Sequence, residues 1–388
     1  MKNSNDRSYE YVIVGSGLAA LGAAMALEEK GVNYCIVGRD FNSVDVYPNQ
    51  QLITSSLFGG ASNYWHGVIP LRQLKSDLSR SLFERFYDVE LSGCIENKIF
   101  IPRRPIRSKE YFCSDRVIVE DVCSISEQDG QVKILLSSDQ ELFARKVVIA
   151  CGVRATGDLL LSSSLIQEQG ISIDDHVCGY VGLMSLKDVE RICRKKISTS
   201  INREGYEIES ILDESAGILY TFRPAHFEML NKEAQLRGGP VYGKGGKLKA
   251  IFEVVRSFKL GRLMEAVSLK TGIWFRPKYV SVHFQAQSEK VHIKDSNAWK
   301  ISQENYSVLE RVKCSSEKIG FSITDGYSEQ STYFGNHLFN LSYNRVNSNI
   351  WDNISIVDAS STQNIGGYHH SFSQLVIAYK KLIKDESS

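Results

Sequence analysis

The order of strand, glycine turn and helix at the start of the chain constrains the fold more than any other feature. Residues 10–14 form an apolar run that ends at Gly15 and Gly17, and residues 18–29 have the composition of a helix. A second apolar run, residues 34–37, completes a βαβ unit of roughly 30 residues. The unit predicts a parallel sheet with helices packed against it.

Small residues in this turn predict a binding site for a dinucleotide. Gly15 and Gly17 let the backbone approach a pyrophosphate, and Ala20 and Gly22 add small residues to the first turns of the helix. The positive end of the helix then faces the phosphate charge. A tight turn with only a structural role is the alternative interpretation.

The acid that usually binds the adenosine ribose is missing from its expected place. Twenty-three residues after Gly15, at the end of the second strand, this chain has Gly38. Asp40 could reach the ribose from the loop, or Arg39 could contact the adenine or a phosphate. A solvated turn formed by these two side chains is the alternative.

Strand patterns organise the rest of the chain. Residues 117–119, 132–136 and 146–150 predict a β-meander, with a turn at Asp129 and Gly130. Residues 175–330 combine helical segments with a strand pair, unlike the residues before them, and indicate a second domain. The other predicted elements are an amphipathic helix near residues 71–90, a strand pair at residues 279–286 and 290–293 separated by a turn, a last strand at residues 354–357 and a last helix at residues 371–384.

Composition argues against several classes of function. Lys and Arg total 46 against 45 Asp and Glu, a net charge of +1, so nothing in the overall charge attracts nucleic acid. No apolar stretch approaches the roughly 18 residues of a membrane span, and the start is polar, so we expect a cytoplasmic protein. The 8 cysteines form no Cys-x-x-Cys pair, and no histidines show metal spacing with carboxylates, so we expect no metal site.

Three further blocks lie at residues 58–65, 148–161 and 357–371. Together with the βαβ unit, they resemble the glucose-methanol-choline (GMC) oxidoreductases, as a short and divergent bacterial-type member. Residues 58–65 are similar to the family's Gly-Gly-Ser/Thr-Ser-Asn loop. Residues 148–161 are similar to its apolar strand, Ala-Gly-Ala turn and Leu-rich helix, and residues 357–371 to its C-terminal Asp-Ala/Gly-Ser block. The stretch from 175 to 330 contributes little to the likeness.

This resemblance implies an α/β fold. It consists of a FAD-binding Rossmann-like domain with an inserted α+β substrate domain built on an antiparallel sheet. The FAD domain would be discontinuous, formed by residues 1–70, 110–170 and 330–388. Residues 71–109 and 171–329 would form the substrate-binding domain. A second glycine motif for NAD(P)H is absent, which argues against a reductase with two dinucleotides.

The resemblance also implies which residues contact FAD. The loop with Asn63 and Trp65 would lie along the flavin, the strand that ends near Cys151 would pass close to it, and Asp358 would accept a hydrogen bond from a ribityl hydroxyl. The candidate cofactor residues are Gly15, Gly17, Ala20, Arg39, Asp40, Gly59, Gly60, Ser62, Asn63, Trp65, Cys151, Gly152, Asp358 and His369.

Alcohol oxidation needs a base that removes the hydroxyl proton, and neutral imidazole has a suitable pKa. His369 follows Asp358 by eleven residues and stands where the resembling enzymes have a residue beside flavin N5. His370 comes next, at the start of the last helix. His337 is a further candidate, because Thr332 occupies the position where the family's second histidine is expected. The four histidines at 176, 226, 283 and 292 lack a supporting pattern and are expected to be ordinary surface or core residues.

The expected activity is FAD-dependent oxidation of an alcohol group, with a sugar or polyol as donor, either free or linked to a nucleotide or lipid. The electron acceptor, and hence oxidase or dehydrogenase, is undecided. Alternatives are a desaturase, a ketone reductase or a non-catalytic FAD-binding protein. Residues 237–262 form a basic segment that could contact a phosphate or an anionic membrane, with a solvated face as the alternative.

Overall fold

A computed structural model gives the fold. It describes residues 7–39, 58–63, 67–91, 95–102, 104–167, 172–174, 176–197, 200–201, 204–224, 267, 279–287, 291–292, 306–320, 340–342, 345, 349–362 and 371–384.

Strands and helices alternate at both ends of the described chain, and strands dominate its middle. The strands are β1 Arg7–Val14, β2 Tyr34–Gly38, β3 Ile69–Pro70, β4 Lys98–Pro102, β5 Val117–Val119, β6 Val122–Gln128, β7 Gln131–Leu136, β8 Glu141–Ile149, β9 Ser172–Asp174, β10 His176–Ser185, β11 Ser200–Ile201, β12 Gly205–Asp213, β13 Ile218–Pro224, β14 Tyr279–Gln287, β15 Val291–His292, β16 Asn340–Ser342 and β17 Ile354–Ile356. The helices are α1 Leu18–Glu29, α2 Asp77–Phe86, α3 Val153–Ser162, α4 Leu186–Cys193, α5 Tyr306–Ile319 and α6 Ser371–Lys384.

The first sheet is mostly parallel and has β1 at its centre. β1 runs parallel to β2 on one side and to β8 on the other, and β5 extends the sheet beyond β2. β8 changes partner along its length: its first half pairs antiparallel with β7, and its last three residues pair parallel with β17. Because parallel strands share a direction, the carboxyl ends of β1, β2, β8 and β17 lie at one edge of the sheet.

Helices cover both faces of this sheet. Tyr11 and Ile13 of β1 pack with α1 and α6 on one face, and Val12 and Val14 pack with α3 on the other. The alternation follows from the two-residue period of a strand, and burial on both faces explains why residues 11–14 of β1 and 34–37 of β2 are apolar.

α1 and α6 pack closely and run in the same direction. A Cβ on Gly22 would lie 2.1 Å from the carbonyl oxygen of Leu375, so only glycine permits this approach. Near the other end of the pair, Lys30 Nζ donates to the carbonyl oxygen of Leu382 at 2.7 Å. The N-terminus of α6 therefore lies at the same end of the molecule as the N-terminus of α1.

The second sheet is antiparallel and has the strand order β10-β14-β13-β12-β4-β3. Its strands come from two separate parts of the chain, since β3 and β4 precede the strands β5 to β8 of the first sheet. α4 and α5 cover one face, where Val189 and Val312 join a core with Tyr220 and Val282. These two sheets confirm the predicted α/β class with an antiparallel sheet in the second part, whereas the predicted domain boundaries stay a prediction.

Two predicted strand pairings are wrong. The strand at residues 117–119 forms, but it pairs parallel with β2 at the far edge, and the meander consists of β6, β7 and β8. The strands near residues 279–286 and 290–293 also form, but they belong to different sheets, because β14 pairs with β10 and β13 while β15 pairs with β9. A two-residue period identifies a strand without specifying its partner.

Two local predictions are confirmed. Asp129 and Gly130 both have positive φ angles, 52° and 77°, which is the backbone of a tight hairpin turn. α6 spans the residues predicted for the last helix. None of the helices in the described ranges has the length and apolar character that crossing a bilayer requires.

Candidate functional site

Gly15 stands where the carboxyl ends of β1 and β8 meet. Its φ angle is +116°, and its N–H donates to the carbonyl oxygen of Val37 at 2.8 Å. A Cβ on Gly15 would lie 2.3 Å from the carbonyl oxygen of Ala150. Both the backbone angle and the contact exclude other residues, so the fold itself requires glycine at this position.

Gly17 is under no such constraint from the protein. It precedes α1 with an ordinary extended conformation, φ −79°, and a Cβ on it would meet no atom within 4 Å among the described residues. α1 has no side-chain cap and no acidic residue in its first turn. A helix N-terminus without a side-chain cap suits an anion. Ala20, in the same turn, is fully buried in the core.

The loop at Gly59 lies directly against this turn, whereas its predicted place along the flavin stays a prediction. Gly59 N–H donates to Ser16 Oγ at 2.8 Å. Gly60 has a φ angle of +54°, and a Cβ on it would lie 3.5 Å from the Cα of Gly17. Glycine therefore allows two backbone segments to meet beside the open N-terminus of α1.

A buried cluster of hydroxyl groups holds the loop in place. Ser62 Oγ donates to the carbonyl oxygen of Gly59 at 2.6 Å and lies 2.9 Å from Ser108 Oγ. Ser108 Oγ in turn donates to the carbonyl oxygen of Ser16 at 2.6 Å. Arg107 donates to the carbonyl oxygen of Ser62. Sequence analysis missed Ser16 and Ser108. Ser16 stands between two glycines, which is a usable signal, but nothing local marks Ser108.

The structure explains why Gly38 replaces the expected acid. A Cβ on Gly38 would lie 3.0 Å from the ring of Phe58 and 3.1 Å from Ser16 Cβ. The ring of Phe58 thus closely approaches the end of β2, at the position usually occupied by an acid. Arg39 Nε forms an ion pair with Asp121 Oδ1 at 2.6 Å, and both side chains are about half exposed. Contact of Arg39 with a nucleotide stays a prediction.

Asp358 is a buried carboxylate that joins β17 to the start of α3. Its Oδ2 accepts hydrogen bonds from Gly152 N–H at 2.9 Å and Thr156 Oγ1 at 2.6 Å. Its Oδ1 accepts from Ser360 N–H at 2.9 Å and from Ser360 Oγ at 2.5 Å. Burial raises the pKa of Asp358, and the hydrogen bonds from Ser360, Thr156 and Gly152 oppose that rise. Protein donors fill both oxygens, and contact with a ribityl hydroxyl stays a prediction.

Cys151 lies beside this carboxylate. Its Sγ is 3.3 Å from Thr156 Oγ1. Burial, followed by the charge of Asp358, raises the pKa of Cys151 to about 12, so the thiol is protonated at neutral pH. Gly152, the next residue, has a φ angle of +85°, and a Cβ on it would meet no atom within 4 Å in the described part of the chain.

The segment that carries two candidate histidines begins and ends at described residues. Thr362 follows the turn at Asp358, and α6 begins at Ser371. Gln374 Nε2 donates to Thr362 Oγ1 at 3.0 Å, which holds the two ends together. His369, His370, His337, Asp40, Trp65, the side chain of Asn63 and the basic segment 237–262 lie outside the described residues.

The structure therefore brings eight sequence-predicted residues to one edge of the first sheet: Gly15, Gly17, Gly59, Gly60, Ser62, Cys151, Gly152 and Asp358. Within the described ranges, no group of three or more His, Cys, Asp or Glu side chains is arranged to hold a metal ion.

No protein-family model and no curated protein sequence matches the chain. Several solved structures align with the chain at low sequence identity. Pyridoxine 4-oxidase from Mesorbium loti is 12% identical, over 96% of this chain and 98% of that one, with a TM-score of 0.47. A FAD-dependent oxidoreductase from Chaetomium thermophilum is 10% identical, over 97% and 99%, with a TM-score of 0.49. NikD, an amino acid oxidase, is 11% identical, over 98% and 95%, with a TM-score of 0.43.

Proposed function

We propose that the chain is a FAD-dependent oxidoreductase that oxidises an alcohol group. The observation that carries the proposal is the open space at Gly17, where an uncapped helix N-terminus meets the loop at Gly60. Among the described residues no packing contact calls for glycine at position 17, whereas a pyrophosphate at the helix N-terminus would supply a reason. The site lies at the carboxyl ends of parallel strands, where such sheets bind their ligands.

The residues present fit this cofactor. The N–H groups at the start of α1 and the space beside Gly17 would hold the pyrophosphate. The 3-10 turn that begins at Gly60, fixed by the hydroxyl groups of Ser62 and Ser108, would lie along the flavin. FAD, when bound, supplies the acceptor for the hydride that leaves the donor carbon. Asp358 would position the turn at Gly152 through its hydrogen bond to that N–H.

His369 is the proposed base for the hydroxyl proton, with His370 and His337 as the other candidates. Support comes from the sequence spacing and from Ser371, which begins α6 two residues later and lies at the same end as the N-terminus of α1. An imidazole there would take the proton while the hydride leaves, a role that typically contributes 10²- to 10⁴-fold in rate.

The proposal also covers the electron donor, the cellular location and the contacts of the basic segment. The resemblance favours a sugar or polyol as donor, free or linked to a nucleotide or lipid, and leaves the electron acceptor undecided. We also propose that the protein is cytoplasmic and that residues 237–262 contact a phosphate or an anionic membrane. A non-catalytic FAD-binding protein is the second candidate, favoured by Thr332 where the family's second histidine is expected.

A visible spectrum of the purified protein tests the cofactor, and anaerobic titration with a panel of sugars and alcohols tests the reaction. We expect a flavin spectrum that at least one compound bleaches without oxygen. A protein without flavin would refute the cofactor assignment. A flavoprotein that no alcohol reduces would support the non-catalytic candidate or another reaction type.

A further inference from the structure

Two strands of the first sheet, β2 and β5, end side by side at its carboxyl edge. They run parallel, and Gly38 of β2 pairs with Val119 of β5. Val117 packs against the core that contains α1, and Val119, two residues later, is on the same face of the sheet. Val119 therefore lies beside Gly38, on the face that carries α1 and its uncapped N-terminus.

An exposed apolar side chain stands beside a glycine at this edge. Val119 is 39% exposed, and only two other large apolar side chains in the described ranges are exposed, Tyr111 and Ile377. The ring of Phe58 occupies the space that a side chain at position 38 would need. The edge at β2 and β5 therefore offers an apolar surface, while β2 lacks an acid of its own. A nucleotide base packs on apolar side chains, whereas its ribose needs a hydrogen-bond acceptor.

Asp121 supplies a carboxylate at the same edge. It follows Val119 by two residues, and its carbonyl oxygen accepts a hydrogen bond from Ser137 N–H at 2.9 Å, which fixes the backbone after β5. Its Oδ1 lies 2.6 Å from Nε of Arg39, the residue after Gly38. Both side chains are about half exposed, and an ion pair so exposed contributes little to stability. The pair instead holds a carboxylate of β5 next to the end of β2, where the acid is missing.

We propose that β5 and the residues after it bind the adenosine end of the dinucleotide, with Asp121 replacing the acid that β2 lacks. The ribose 2′-hydroxyl donates a hydrogen bond to the carboxylate of Asp121, and the base packs on Val119. Arg39 is a positioning residue that holds the carboxylate in place. In the usual arrangement the second strand supplies the acid. The inference rests on the proposed cofactor, because it needs a dinucleotide whose pyrophosphate lies at the start of α1.

Two cofactors, FAD and its 2′-deoxyadenosine analogue, test the contact with the ribose. Each is loaded into the protein by exchange, and its release is followed by the recovery of flavin fluorescence. The wild type should release the analogue about 10-fold faster than FAD, because a hydrogen bond to a charged group is lost. Asp121→Ala should release both compounds at one fast rate. Glu120→Ala is the matched control: it removes the neighbouring carboxylate, which accepts from Ser138 N–H at 3.2 Å, and should discriminate as the wild type does.

Two further variants separate the other roles. Arg39→Ala should narrow the ratio of the two release rates, and Arg39→Lys should restore part of it, since a cation again faces the carboxylate. Val119→Thr keeps the shape of the side chain and makes it polar, so it should speed release of both compounds by the same factor, roughly 3-fold.

Equal release of FAD and the analogue from the wild type overturns the assignment, and so does an unchanged ratio in Asp121→Ala. Either result leaves FAD as the cofactor. A protein that takes up neither compound refutes the proposed cofactor together with this site.

Discussion

The two sheets of this molecule differ in what the chain contributes to them. At the edge of the first sheet the backbone dominates: Gly15 and Gly60 let backbone segments approach each other closely, and a Cβ on Gly17 would meet no described atom within 4 Å. On one face of the second sheet the side chains dominate, and Ser210, Thr221 and His283 form a buried polar row across three strands. A backbone surface recognises a group that many ligands share, such as a pyrophosphate, whereas a side-chain surface can be specific for one ligand.

The largest effect is expected from substituting the glycines at the edge of the first sheet. It distinguishes a role in folding from a role in cofactor binding. Gly15→Val should yield no folded protein, because its Cβ would lie 2.3 Å from a backbone oxygen that cannot move away freely. Gly17→Val should fold normally, because its Cβ meets no described atom within 4 Å, yet it should purify without flavin. Circular dichroism and the ratio of visible to ultraviolet absorbance measure the two outcomes.

If Gly17→Val purifies with a full complement of flavin, the edge of the first sheet is not the cofactor site. A Gly17→Ala variant is the graded control. Its single methyl group should weaken flavin binding less than valine does. Loss of folding in Gly17→Val would instead show that this glycine, like Gly15, serves the fold.

The second largest effect concerns His369. His369→Ala should slow anaerobic flavin reduction by about 10²- to 10⁴-fold, the usual contribution of a general base, while the flavin content stays unchanged. Stopped-flow absorbance of the flavin with a reducing alcohol measures the rate. The effect would place the proton transfer at the edge of the first sheet, in the segment that ends at α6.

Two controls, His370→Ala and His337→Ala, test the other candidate bases predicted from the sequence. A third control, His283→Gln, tests a histidine of the second sheet. If His283→Gln abolishes reduction while His369→Ala does not, the base comes from the second sheet and not from the segment before α6. If His370→Ala or His337→Ala alone abolishes it, the spacing from Asp358 misleads as a guide to the base.

The first sheet was largely readable from the sequence, because its determinants are local. The strand, turn and helix around Gly15 lie within one short segment, and the bounds of α1 agree with the predicted residues 18–29. The resemblance to a known motif singled out the loop at Gly59, but its contact with the turn at Ser16 came only from the structure. What the sequence did not show is the partner of each strand, as in β5, or the reason for Gly38, which is the distant ring of Phe58.

The second sheet was predicted as antiparallel, but the polar row across its strands was not. Thr221 and His283 are paired neighbours that lie 62 residues apart in the chain. Nothing in the local pattern around His283 distinguishes it from an ordinary core histidine, and this is how the sequence alone classified it. The same holds for Ser108, whose importance follows from contacts with distant residues. Such surfaces become visible only once the strand register is known.

The third effect is smaller and concerns stability. Asp358→Asn should lower the free energy of unfolding by about 2 kcal/mol, because the amide nitrogen would face a backbone N–H donor of Gly152 or Ser360. Thr156→Val, which removes one hydrogen bond to the same carboxylate, should cost about 1 kcal/mol. Urea unfolding followed by fluorescence measures both. An Asp358→Asn variant as stable as the wild type would show that the carboxylate is free to bind a ligand.

The smallest effect is expected at Ser108, which follows β4 of the second sheet and hydrogen-bonds to the glycine turn of the first. Its hydroxyl is fully buried and contacts Ser16 and Ser62, so Ser108→Ala should cost about 1 kcal/mol. If the loop at Gly59 holds the flavin, the variant should also release its flavin several-fold faster, since that loop loses a fixed contact. Ser315→Ala is the control, because it removes a buried hydroxyl that donates to Asp213 of the second sheet, and it should leave flavin release unchanged. If the wild type, Ser108→Ala and Ser315→Ala release flavin at the same rate, the serine cluster plays no part in cofactor binding. The cofactor site would then consist of the turn at Gly17 without the loop at Gly59.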